Sequence, residues 1–239
     1  MTDSLPHGVI LVCGHAAPYR VRHSARARYT SLQIHPRRGI EVVLPASASR
    51  ADALSILQEK RSWLERNTDM IWLATRNRAV VRDGVRLALR GEWLTVSIAA
   101  GAPPRVTPLD GRLRVVTRTP HDLAAVRTQI ERWYRREARR VIEARVTAQH
   151  SPADGPVLAV AIRDQDTRWG SCSSDGRLSF NWRLILAPPP VLDAVVAHEL
   201  VHLRIPNHSP PFWEALDQRA PRHRACRRWL DANAFRLGL

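Results

Sequence analysis

An α+β fold is predicted, with strands crowded into the first half of the chain and helices into the second. Short runs of period-two alternation, separated by glycine turns, fill the region before residue 118. After it, apolar residues recur at helical spacing over long stretches. The segment His198-Glu199-Leu200-Val201-His202 lies in one of these stretches, preceded by Val191, Leu192, Val195 and Val196.

The first strands expected are Tyr19 to Arg22, Arg28 to His35 and Ile40 to Leu44, with a turn at Pro36-Arg37-Arg38-Gly39. A helix follows from about Arg50 to Ala74, carrying Leu54, Leu57, Trp63 and Leu64 at helical spacing. Val85 to Leu89, Trp93 to Ala99 and Leu113 to Thr117 read as strands. Gly84, Gly91, Gly101 with Pro103-Pro104, and Asp110-Gly111 separate them. The texture changes at Thr119-Pro120, which divides the chain into a β-rich part, 1–118, and an α+β part, 119–239. Asp122 to Gln149 is a long amphipathic helix, ended by Ser151 to Pro156. Val157 to Arg163 and Arg177 to Leu186 read as strands, the second stopped by Pro188-Pro189-Pro190. A helix from Val191 to about Leu203 follows, then a short helix near Pro210 and a last one after Pro221. No internal repeat is visible.

Composition sets the class. At 239 residues, with 44% hydrophobic and 25% charged side chains, the chain can bury a core without disulfides. Three scattered cysteines, Cys13, Cys172 and Cys226, make no disulfide framework and suit a reducing cytoplasm. No stretch is long and apolar enough for a membrane, and the N-terminus lacks the basic start of a secretory signal. The net charge is +15, and Lys60 is the only lysine. Such a surface attracts nucleic acid non-specifically, but the arginines spread over the whole chain and no reading motif accompanies them.

On a helix, His198 and His202 fall on one face a turn apart, close enough for both rings to reach one ion at about 2.0–2.1 Å each. Glu199 stands about 100° round from His198, beside such an ion, where a carboxylate can move protons. With ten histidines, this spacing is expected by chance only about 0.02 times in such a chain. A zinc site that keeps one position open needs a third protein ligand. His208 follows six residues after His202, beyond Pro206, and a short loop can turn it back. Glu214 and Asp217 on the next helix are the other candidates. Glu214 is the rival ligand, and if His208 is the ligand a carboxylate on that helix could steady a ligand histidine. His223 reads as a surface histidine in a basic turn. Arg168-Trp169-Gly170-Ser171-Cys172 could rim a cleft, with the strand Leu178 to Asn181 pairing with an extended peptide and Asn181 touching substrate.

TRWGSCSSDGRLSFNWRLILAPPPVLDAVVAHELVHLRIPNHSPPFW resembles the YgjP-like metallopeptidase domain, a relative of the SprT and WLM zinc proteases. RHSARARYTSLQIHPRRGIEVVLP, EKRSWLERN and RRWLDANAF extend the resemblance to nearly the whole chain. It implies a zincin-like core over 119–239, with an HExxH helix and a third histidine in an NHSxxFW-like segment. It also implies Zn²⁺ held by His198, His202 and His208, with Glu199 as general base in peptide-bond hydrolysis. A nucleoside triphosphate pyrophosphohydrolase activity has been attached to the same group, and SprT-type relatives act on proteins bound to DNA. The chain has no phosphate-cradling GxxxxGK[ST] loop. A non-enzymatic, nucleic-acid-binding module would close its zinc with four protein ligands instead.

Overall fold

A computed structural model describes residues 8–35, 39–68, 71, 81–165, 168–234 and 237. By internal contacts the chain forms two compact units, Met1–Arg78 and Ala79–Leu237. Strands dominate the first half and helices the second, as the sequence leads one to expect.

The first unit contains β1 (Gly8–Val12), β2 (His15–Ser24), β3 (Ser31–His35) and β4 (Gly39–Pro45), in sheet order β1-β2-β4-β3. The strand β1 has no counterpart among the strands expected from the sequence. Cys13-Gly14 joins it to β2 with φ of 48° and 76°, the twin positive angles of a two-residue hairpin turn. The β2–β4 pair is parallel and the two outer pairs are antiparallel. The expected helix from Arg50 to Ala74 is interrupted: α1 (Arg50–Glu59) ends at Lys60, α2 (Arg61–Arg66) ends at Asn67, and Thr68 and Ile71 are helical again. Its end at 72–74 and the turn at 36–38 lie outside the described residues. Leu57, Leu64 and Ile71 pack with Tyr19, Ile40 and Val42 as the core of this unit.

The second unit opens with β5 (Arg86–Leu89), β6 (Glu92–Ala100), β7 (Arg105–Leu109) and β8 (Arg112–Thr117). Its order, β5-β6-β8-β7, and its pattern of one parallel pair flanked by two antiparallel pairs repeat those of the first sheet. The chain therefore uses one four-stranded topology twice without an evident sequence repeat. The strand β7, which contains Pro108, has no counterpart among the expected strands; it falls between the separators Pro103-Pro104 and Asp110-Gly111. It lies at the sheet edge, where a proline removes no ladder bond.

Behind this sheet runs α3 (Leu123–Gln149), 27 residues long, capped by the Asp122 carboxylate accepting from Ala125 N–H at 2.9 Å. Its buried stripe includes Val126, Ile130, Tyr134, Ala138 and Ile142. Gln129 donates to the carbonyls of Arg105 and Val116, and Tyr134 donates to the Ala88 carbonyl at 2.7 Å. The second sheet thus shares one continuous core with the C-terminal helices. The change of texture at residues 118 and 119 falls inside this unit, between β8 and α3.

A third, three-stranded sheet holds β9 (Ala159–Arg163), β10 (Gly170–Cys172) and β11 (Arg177–Asn181), in order β10-β11-β9. The strand expected over Arg177 to Leu186 stops at Asn181, and Trp182–Leu186 is a buried 3-10 helix. A continuous apolar run does not distinguish a buried strand from a buried helical turn. The chain closes with α4 (Pro189–His202), α5 (Pro210–Arg219) and α6 (His223–Asn233). Phe235, within the RRWLDANAF segment, lies outside the described residues. Among the described residues no helix is long and apolar enough to cross a membrane.

Candidate metal centre

Prolines at its first positions start α4, where a missing N–H costs nothing. The helix is buried on most sides by Val191, Leu192, Val196, Ala197, Leu200 and Val201. His198 and His202 share its remaining face. Leu203 ends the helix, and the loop through Pro206 returns the chain so that His208 faces the same point. The Nε2 atoms of His202 and His208 lie 3.2 and 3.1 Å from Nε2 of His198. One ligand atom from each of the three histidines falls within 4.8 Å of the other two.

These distances can be tested against a cation. Bonds of 2.0–2.1 Å at tetrahedral angles separate two ligand atoms by about 3.3–3.4 Å, close to the two spacings here. Hydrogen bonding alone accounts for the cluster poorly. The Ile205 carbonyl can only accept, so Nδ1 of His202 donates to it at 3.0 Å, and neutral His202 presents a bare lone pair at Nε2. A single proton on Nε2 of His198 serves only one of its two neighbours. One cation satisfies all three rings. In the metal-free site burial, reinforced by His202 and His208, drives His198 down to about 3, and burial lowers His202 as well. His198 and His202 are therefore neutral near pH 7, the form that binds metal. The residues fit a divalent ion.

Phe212, fully buried at the start of α5, supports the cluster from below. Its ring centroid lies 4.9, 4.5 and 4.7 Å from those of His198, His202 and His208. Trp213 stacks on His208 at 5.4 Å. Neither residue stood out in the sequence beyond its place in the NHSxxFW segment. Glu214 is exposed and outside the histidine cluster. Asp217 steadies no ligand. It accepts from Nε2 of His223 at 2.9 Å and from Arg224 at 3.2 Å. The expectation of a surface His223 is overturned, since the ring is only 7% exposed and stacks on Trp213. A helical turn brings it inward, which a basic neighbourhood in sequence hides.

Glu199 is 5% exposed. Burial, opposed only by the charge of Arg168, pushes its carboxyl up to about 8. Gly170 at the start of β10 faces it closely: a Cβ there would sit 2.5 Å from Oε1 of Glu199. The peptide-pairing role expected of Leu178 to Asn181 is corrected here. The strand β11 is central, paired on both sides, and cannot accept another strand. The edge is β10. Asn181 N–H donates to the Trp169 carbonyl, which makes residues 169 and 171 the inward-bonding members of the ladder. By alternation the N–H and C=O groups of Gly170 and Cys172 face the open side.

Asn181 is likewise not a substrate contact. It is 4% exposed, donates to the carbonyls of Gln165 and Arg168, and accepts from Arg183 N–H at 3.1 Å. Its role is to hold the segment that carries Trp169 and Gly170. Buried Arg183 pairs with Asp164 beneath the same segment and lies 4.4 Å over Trp182. Cys172 is half-buried, with its thiol raised by burial and by Glu199, so no activated nucleophile stands there.

A family model described as YgjP-like, metallopeptidase domain, matches residues 28–233. No curated protein and no solved structure matches the chain.

Proposed function

We propose that this chain, which belongs to the YgjP-like metallopeptidase family, is a zinc-dependent peptidase of zincin type. Its ligands are then His198, His202 and His208, and Glu199 is its general base. The observation that carries the reading is the convergence of three imidazoles beside a buried carboxylate and an open strand edge. A zinc ion held there supplies Lewis acidity, polarising a carbonyl and making water acidic near neutral pH.

The chain's own groups do the rest. An extended peptide adds to the edge of β10 through the backbone groups of Gly170 and Cys172. This sets its scissile bond beside Glu199. One Glu199 oxygen takes a proton from the attacking water and later delivers it to the leaving amine. Gly170 leaves the carboxylate room to do so, and its burial keeps bulk water away. The free strand edge favours a peptide over a nucleotide.

Glu199→Gln is expected to retain metal while hydrolysis of an unfolded protein falls by at least about 10²-fold. His202→Ala is expected to lose both. Elemental analysis of the purified variants, run beside a proteolysis assay, reads the two quantities separately. Undiminished hydrolysis by metal-loaded Glu199→Gln would overturn the assignment.

A further inference from the structure

A cavity of ≈ 320 Å³ opens directly beside His198 and Glu199. Trp169 from the segment before β10 forms one wall, and Val195, one turn before His198 on α4, forms another. Trp213 from α5 and Leu230 from α6 face them. The lining next to Glu199 is apolar and partly aromatic. The polar groups are His198 and Glu199 from α4 and His223, Arg227 and Asp231 from α6.

Its walls are held before any substrate arrives. Trp213 lies between two rings, stacked on His208 at 5.4 Å and on His223 at 5.9 Å. His223 is fixed in turn by Asp217. The loop bearing Trp169 is tied down by Asn181. A pocket with fixed aromatic walls binds an apolar side chain without first ordering its own. Its volume lies in the range of small-ligand pockets, and an apolar occupant meets Trp169, Val195, Trp213 and Leu230 there.

We propose that this cavity is a side-chain subsite. It takes a large apolar residue, aromatic or branched aliphatic, flanking the scissile bond of a peptide substrate, and it rests on the peptidase reading above. A peptide laid along β10 sends alternate side chains to opposite faces of the sheet. The one directed toward α4 enters between Trp169 and Val195. Substrates are then selected by hydrophobic segments that folded proteins bury, so unfolded or locally opened chains are cut first.

The test uses metal-loaded, full-length protein and internally quenched peptides that differ only at the two residues flanking the cleaved bond. Phe, Leu, Ala and Asp are placed at each position in turn. Wild type is expected to prefer Phe or Leu over Ala and Asp at one of the two positions, by tenfold or more in kcat/KM. Val195→Phe, which fills the cavity, and Trp169→Ala, which removes a wall, should each shrink that ratio at least fivefold. The two act in opposite directions, so a folding defect in one leaves the other as the test. Binding of the same peptides to metal-loaded Glu199→Gln, followed by fluorescence anisotropy, should show the same order. Cleavage with no preference at either position, or a preference both variants leave intact, overturns the subsite and spares the peptidase reading. Absence of both cleavage and binding for every peptide removes the peptidase reading, and the subsite with it.

Discussion

Gly170 has no side chain, and the Glu199 carboxylate occupies the space where one would stand. An added methyl cannot be absorbed by a flexible tip, because Cδ and Cγ of Glu199 would also lie within 2.8 Å of it. Gly170→Ala is therefore expected to rotate or displace the carboxylate while the histidines keep their places. Metal content should match wild type, and kcat should fall at least about tenfold, since proton transfer depends on position at the ångström scale. Equal kcat in the two proteins would show that the carboxylate tolerates displacement. This residue marks where sequence reading runs out. His198 and His202 are legible because four residues on a helix make one turn, and His208 because a short loop bounds its reach. Gly170 meets Glu199 across 29 positions of sequence, and no local pattern encodes that approach. His223 was misread for the same reason: its burial depends on Asp217 and Trp213 from another helix.

At the scale of elements, period and turn chemistry found most strands, and the failures have physical causes. A lone apolar run conceals whether Trp182 to Leu186 extends or coils. The strand β7 carries Pro108, which only an edge position tolerates, and sequence cannot say which strand will be an edge. How elements are tied together is less visible still. After α3 the chain turns through Ser151 to Gly155, and Asp154 there receives both terminal nitrogens of Arg219 on α5, at 2.7 and 2.6 Å. Hydrogen bonding from Arg219 chiefly holds the Asp154 carboxyl below its usual 3.8, against partial burial. A carboxyl whose pKa is lower in the folded state stabilises the fold above its unfolded pKa. That contribution is lost as pH falls through the folded value. Asp154→Asn should therefore melt at a lower temperature than wild type at neutral pH. The gap should close as pH drops below the ordinary carboxylate range. Thermal melts over that series check it, and a gap that persists under full protonation would mean the ion pair is not its source.

At the scale of the molecule, two sheets of identical order serve unequal ends. The first is packed by α1, α2 and Ile71 and carries no residue of the metal centre. The second shares one core with α3, α4 and α6. A boundary at residues 78 and 79 and one at 118 and 119 therefore make opposite predictions for truncated proteins. Starting the chain at Ala79 keeps the whole larger core. Starting it at Thr119 removes seven of its buried side chains, from Val81 to Val115. At about 1.5–3 kcal/mol for each buried side chain, that loss is on the order of 10–20 kcal/mol. It rivals or exceeds the roughly 5–15 kcal/mol by which a whole domain is stable. It also strips the partners of Tyr134 and Gln129 from α3. The fragment 79–239 should give a cooperative thermal transition and bind one equivalent of zinc, whereas 119–239 should do neither. Circular dichroism and metal titration of the two fragments decide between the boundaries. If 119–239 folds cooperatively and binds metal, the second sheet is dispensable to the site, and the division at the change of texture is the correct one.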